Sequence, residues 1–492
     1  MPAQRMQIPI VGSQAVDKSV SVNNQATINL MTAIRGVGAK APAVLETCPG
    51  LVDIGDAGDG PVRTGRLVSS SIRVAGTTPE LFGVFGSRFV AITPAPSVVD
   101  IGGLTSSTGR VQIARGRQYI AFVDGANGWT YDGTTYAQIT DLDFPGQAAA
   151  GAPTFIVYMD GFFIVNDALT DNFFISDVEN PTVWNALDFE AASTAPDNAL
   201  AIASSNSLLW ILGDETAQAY YNSGNADFPY EGVLNATQEV GILAPHSIAE
   251  SDDGIFYLAT TPEGGRFIYQ IKGQQGQVIT GEEQEQFLSS LVSPEEAYGF
   301  IYKQAGKSFY VLQCGENTGY PDANDTSTLV YNIRAGTWET RTLSDGSAWR
   351  AGGAGVLNNE NLVGSRLAGR YLRLDLDVYT DAGQPIIRTR RTQVIHNMGQ
   401  EIDYWSLIVD VQPGVGNSSA PNPTLKMRYS NDAGQTWSNW LTESLGAAGQ
   451  TGKRVSFDQL GRARNRVFEL QLADACNLTI INAYADVELI AD

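Results

Sequence analysis

Ser430, Asp432, Gly434 and Trp437 lie in the run SNDAGQTWS, where a carboxylate stands two residues before a glycine and five before an indole. A carboxylate so placed has two uses. It can act as a general acid in a hydrolase, or it can accept backbone N–H bonds and close a hairpin turn that the indole covers.

The other candidate groups do not converge on one chemistry. Asp252-Asp253, Glu282-Glu283 and Glu295-Glu296 are neighbours in sequence, so strand or helix geometry turns their carboxylates apart. They are expected on solvated faces. The loop DANDTS, with Asp322, Asn324 and Asp325, has the oxygen density of a calcium site but lacks the glycine and terminal glutamate of a helix-loop-helix site. His246 and His396 have no cysteine or acid at ligand spacing, and GVGAKA near Gly36 lacks the Lys-Ser/Thr of a phosphate loop. No metal and no cofactor are expected.

The SNDAGQTWS run resembles the Asp-box of sialidases. Glycan hydrolysis would also need arginines converging on a carboxylate, a Tyr nucleophile with a Glu partner, an acid Asp, and the box repeated through several blades. A single box, outside the repeating part of the chain, predicts turn chemistry instead: a structural hairpin built on Ser430, Asp432, Gly434 and Trp437.

Basic residues cluster late in the chain, at Arg388, Arg390 and Arg391 and again at Arg462, Arg464 and Arg466. In a chain of formal charge -22 such clusters meet acidic surfaces of the same or a neighbouring subunit more readily than DNA, so they are read as assembly contacts. The net charge opposes a tight grip on nucleic acid. A negative wall nevertheless lets DNA slide past, because repulsion removes the deep wells that would hold it.

The elements that must position these residues are strands. The 492-residue chain exceeds the roughly 250–300 residues at which single cores stop growing, and 51 Gly with 21 Pro suit short strands joined by tight turns. Residues 1–45 lack periodicity and read as an extended arm. Apolar hairpins then recur with starts near 117, 154, 206, 251 and 307, and RLVSSSIRVAG with ELFGVFGSRFVAIT supplies another. That spacing predicts a β-propeller of about six or seven blades over 46–370, interrupted by a short helix in SPEEAYGFIY that Ser293 caps. Longer alternating strands over 371–492 predict a β-sandwich of jelly-roll type, so the fold class is all-β. Cys48, Cys314 and Cys476, odd in number and widely spaced, read as free buried thiols. No secretion signal or membrane span is expected, since the N-terminus has no basic region before an apolar core and no long apolar run occurs.

One passage carries more than texture. The ISD-x-x-x-P-x-x-W-x-x-x-DF run, the GD-x-x-x-x-x-YYN-x-G hairpin and the G-x-x-AP-x-S turn lie within 173–259, with NLM at Asn29 to Met31 and LGRARNRVFELQL at Leu460 to Leu472. Together they resemble the packaged-DNA stabilisation protein family, the tail hub, tail accessory factor or nozzle of short-tailed podovirus phages. The resemblance implies a virion tail protein, assembled in the host cytoplasm as a homo-oligomeric ring, commonly a hexamer, beneath the portal and its adaptor. It implies docking to a tail needle, spike or fibre, and genomic DNA passing through the channel without sequence-specific binding. It brings no catalytic residue and no cofactor, so the chain is expected not to be an enzyme. The alternative is a glycan-binding or glycan-hydrolysing phage propeller, whose mark would be three converging arginines and a Tyr-Glu pair in the central pocket. Removing the first 30 residues is expected to weaken assembly and leave the propeller folded.

Overall fold

Met159 and Phe162 pair across Asp160-Gly161, two residues with φ of 52° and 93°. This left-handed turn is one that Asp-Gly accommodates, and its twist matches that of the strands it joins. Hairpins of this kind, repeated, build the first domain. The computed structural model describes residues 4–73, 79–95, 97–147, 151–192, 197–316 and 326–490.

Seven antiparallel sheets follow one another around a ring. Blades I to VI start at the inner strands Val68–Ser70, Gln112–Arg115, Ile156–Met159, Ala201–Ser205, Ala249–Ser251 and Tyr298–Gln304. Blade VII takes Ala351–Leu357, Glu360–Ser365 and Arg370–Asp375 from late in the propeller, and its outer strand, Gly50–Asp56, from the start of the chain. The ring is therefore closed by a hydrogen-bonded seam, with Leu374 opposite Leu51.

Both faces of each blade are apolar, so the core lies between blades. Phe82, Phe89, Phe122 and Trp129 join blades I and II, and Leu81, Phe85, Leu362 and Tyr371 join blades VII and I. In blade VI, Trp338 stacks on Tyr331 at 4.8 Å between ring centroids and donates its indole N–H to the Ile279 carbonyl. The α-helix of the propeller is Glu282–Ser289, ahead of the stretch expected to hold one. Pro294–Glu296 makes only a 3-10 turn and Ser293 makes no side-chain cap, because the chain passes at once into the strand Tyr298–Gln304.

The second domain is a sandwich. One sheet runs Val455–Ala463, Ile402–Val411, Thr479–Leu489, Ala43–Thr47 and Leu30–Ile34, with Gln4–Ile8 also paired to Thr479–Leu489. The other runs Thr27–Ile28, Arg388–Arg391, Asn465–Leu472, Thr424–Ser430 and Leu441–Ser444. Leu407, Phe457, Phe468 and Leu470 fill the space between them together with Ile8, Ile10 and Leu30. The segment read as an arm is thus woven into its own chain. Propeller pairing also reaches past residue 370, since Asp381 still pairs with Leu51. Long-range strand addition at both ends shifts the boundaries from those that local texture suggests.

Candidate functional site

The strand Thr27–Ile28 lies between the two domains and pairs with both. Ile28 sits opposite Thr340 of blade VI in parallel register and opposite Thr389 of the sandwich in antiparallel register. Blade VI and the second sandwich sheet become one continuous sheet through these two residues. Asn29, with φ of 55°, turns the chain there, and its side-chain amide donates to the Thr342 and Ile387 carbonyls while its Oδ1 accepts from Thr342 N–H at 3.1 Å. Asparagine suits the place because it tolerates the left-handed region and supplies both donor and acceptor.

The arginines expected to contact other subunits are here. Arg390 is buried and donates to Ile10 O at 2.6 Å, Thr27 Oγ1 at 2.6 Å, Gln25 Oε1 at 2.9 Å, and more weakly to Ser13 O and Ala26 O. Every one of these acceptors belongs to the N-terminal segment. Burial works against the guanidinium charge, and this set of acceptors offsets it. Arg391 pairs with buried Glu469 at 2.8 Å and donates to Asn24 Oδ1 at 2.6 Å. Arg388 donates to the Tyr379 and Asp474 carbonyls, and Arg466 lies over the rings of Tyr404 and Tyr429 while donating to Leu460 O. Arg388, Arg390, Arg391 and Arg466 are therefore interior groups of one chain, which corrects their reading as subunit contacts. Arg462 and Arg464 differ: both side chains are more than half exposed, beside Asp403 and Glu401.

The SNDAGQTWS hairpin joins the same network. Asp432 accepts from Ser430 Oγ, Thr436 N–H and Thr436 Oγ1, and Gly434, at φ of 103°, donates its N–H to Ser430 Oγ. Trp437 stands between the guanidiniums of Arg391 at 5.1 Å and Arg428 at 4.5 Å from its ring centroid. Both arginines pair with Glu469, and Asn24 of the N-terminal segment donates to Ala433 O in the turn. The hairpin's carboxylate closes the turn, and its indole lies against the two arginines that pair with Glu469.

The inner strands of all seven blades surround a central cavity of about 970 Å³. Arg66, Arg110, Arg115 and Arg117 line it, as do Tyr158, Glu250 and Tyr298. A Tyr-Glu pair exists at its edge, with Tyr158 O–H donating to Glu179 at 2.6 Å and Arg117 at 3.5 Å from the same carboxylate. Burial and this hydrogen bond push Tyr158 up to about 12, the wrong direction for a nucleophilic tyrosine. The arginines are turned to different partners: Arg66 towards Glu250, Arg115 onto Ser69 O, Arg110 over the Tyr298 ring. This is not the arrangement that holds one carboxylate among three arginines.

His246 stacks on Phe155 at the cavity wall, and burial with Arg110 beside it lowers its pKa to about 4, so the ring is neutral at pH 7. His396 is exposed on a short strand of the sandwich, paired with Asn465. Asp322, Asn324 and Asp325 lie outside the described residues. Among the described residues no group of His, Cys, Asp and Glu could hold a metal ion, and no helix is long and apolar enough to cross a membrane. Asn24 and Glu469 were missed from sequence, and Asn29 was singled out only as part of the NLM motif, without its joining role. An amide-rich early segment and an arginine strand flanked by Ile386, Ile387 and Ile395 were the signals available.

The family model described as Bacteriophage P22 Gp10, beta-propeller, matches residues 6–379, and the one described as Bacteriophage P22 Gp10, beta-sandwich, matches residues 387–488. No curated protein matches the chain. Among solved structures, one similar chain is the WD40 beta propeller domain of Doa1, at 12% identity and a TM-score of 0.37, covering 66% of this chain and 95% of that one.

Proposed function

The chain belongs to the Bacteriophage P22 Gp10 family, and from that premise we propose that this phage structural protein forms the tail hub, a ring below the portal and adaptor that extends or closes the DNA channel. The observation that carries the reading is the match of both domains, in order, to the family's propeller and sandwich. In this reading the protein stabilises packaged DNA within the virion tail and performs no catalysis.

Two physical features support it. A tail hub bears load, and a body in which one segment is hydrogen-bonded into both domains resists hinge motion at their junction. A chain of formal charge -22 can border a DNA path without gripping it. Exposed Arg462 and Arg464, on the edge strand of the first sandwich sheet and just beyond it, are the basic groups we assign to contacts with an acidic neighbour in the ring or adaptor.

The test is the mass of the purified protein, alone and mixed with its candidate adaptor ring, by native mass spectrometry. A closed oligomer, sixfold in our reading, forming alone or on the adaptor supports the hub. A monomer that stays monomeric on the adaptor and cleaves or binds glycans overturns it.

A further inference from the structure

The propeller cavity has the opposite sign to the chain that encloses it. Six basic side chains line it, Arg63, Arg66, Arg110, Arg115, Arg117 and Lys303, against two carboxylates, Glu250 and Asp252, in a protein of formal charge -22. A structural scaffold has no need of such a concentration. Like charges brought together around one lumen repel one another, and the repulsion is relieved when an anion enters.

The acids present neutralise only part of the wall. Asp252 is paired with Lys303, Glu179 at the cavity edge stands 3.5 Å from Arg117, and Glu250 accepts the Ser204 N–H at 2.7 Å while standing 4.0 Å from Arg66. Arg63 is occupied by the carbonyls of Gly86, Ser106 and Gly109. Arg110 and Arg115 have no carboxylate within ion-pair distance among the described residues; they reach the carbonyls of Val62 and Ser69. The Tyr298 side chain, buried in the same wall, lies directly under the Arg110 guanidinium. The side of the lumen that blades I and II build thus carries two guanidiniums, Arg110 and Arg115, with carbonyls and not carboxylates beside them.

We propose that this lumen binds a small polyanion, a compound bearing two or more carboxylate or phosphate groups, whose separate groups meet the separately oriented guanidiniums of Arg66, Arg110 and Arg115. Guanidinium forks match both oxyanions, so the shared chemistry is the planar or tetrahedral oxyanion and not one particular molecule. The cavity volume, about 970 Å³, suits a ligand of a few rings.

Thermal unfolding of the full-length protein in citrate or pyrophosphate, against sodium chloride at equal ionic strength and pH, reads the site. Either anion should raise Tm in a saturable way. The double variant R66Q/R115Q, with both substitutions at exposed side chains, should melt like the parent in chloride and bind the anion roughly tenfold or more weakly. The variant R334Q, exposed on the outer part of blade VI, should keep the full shift. A response to citrate alone assigns a carboxylate ligand, and a response to pyrophosphate alone assigns a phosphate ligand. No shift with either anion, or an equal shift in R66Q/R115Q, overturns the proposal. If the double variant melts early in chloride, the single variants R66Q and R115Q decide it by the same comparison.

Discussion

Leu30 is fully buried in the core of the sandwich, and Met31, the next residue, is buried in the core shared by blades VI and VII. Successive side chains of a strand point to opposite faces, so one extended segment can plug two cores at once. With Asn29 bonded to Thr342 and Ile387, the three residues of NLM join the domains. Propeller and sandwich are distinct in architecture yet share this segment, so each domain's stability should depend on it.

Asn29→Ala removes four hydrogen bonds at a buried junction and forces alanine into the left-handed region. A loss of about 2–4 kcal/mol in unfolding free energy is expected. Asn29→Gly relieves the backbone conflict but not the lost bonds, so it should recover roughly 1 kcal/mol of that loss. Denaturant titration of both variants checks this, and equal stability of the two would show that the φ angle contributes nothing.

Arg390→Met leaves the Ile10 carbonyl, Thr27 hydroxyl and Gln25 amide facing an apolar side chain. A penalty of about 2–4 kcal/mol is expected, from buried neutral acceptors left without a donor, partly offset by removal of the buried charge. The N-terminal segment, no longer held, should become cleavable between residues 10 and 26 under limited proteolysis that leaves the parent intact. A parent-like digestion pattern would place the holding force elsewhere.

These residues also mark where sequence reading stopped. Hairpins such as Phe155 to Phe163 announce themselves, because alternation and an Asp-Gly turn are local, and recurrence at blade spacing then gives the propeller. Gly50–Asp56 pairs with Arg370–Asp375, and Asn29 meets Thr342 across 313 positions. No local pattern encodes such partners. Arg388, Arg390 and Arg391 were read as assembly contacts because basic clusters in an acidic chain meet acidic surfaces, yet the acceptors of Arg390 belong to a segment whose path only the fold defines.

Deleting residues 1–30 should therefore do more than weaken assembly. It removes Ile8, Ile10 and Leu30 from the sandwich core and the strand that joins it to blade VI, while sparing the closing strand Gly50–Asp56. The expected result is a molten or proteolysed sandwich beside a propeller that still melts cooperatively. Calorimetry would show one lost transition, and two intact transitions would contradict the role given to the segment.

Cys48, Cys314 and Cys476 are free and buried, and burial pushes Cys314 up to about 12 and Cys476 up to about 11. Thiolate is the reactive form, so none should react with a thiol reagent at pH 8 in the folded protein. All three should react in guanidinium chloride. Fast native labelling of Cys476 would indicate local opening at the sandwich end.

Asp432 gives the sandwich a specific acid sensitivity. Partial burial opposes its charge, but hydrogen bonds from Ser430 and Thr436 prevail and lower it to about 2, against an ordinary value of 3.8. The folded carboxylate binds its proton less readily than the unfolded one. Its stabilisation is thus complete above the unfolded value and is lost as pH falls from 3.8 towards 2. The side chain is partly open to solvent, which screens the effect, so Asp432→Asn should cost roughly 1 kcal/mol at pH 7 rather than the full linkage value. Parent and variant should converge in stability near pH 2. A stability gap that persists unchanged to that pH would mean that the carboxylate acts through shape and not through its charge.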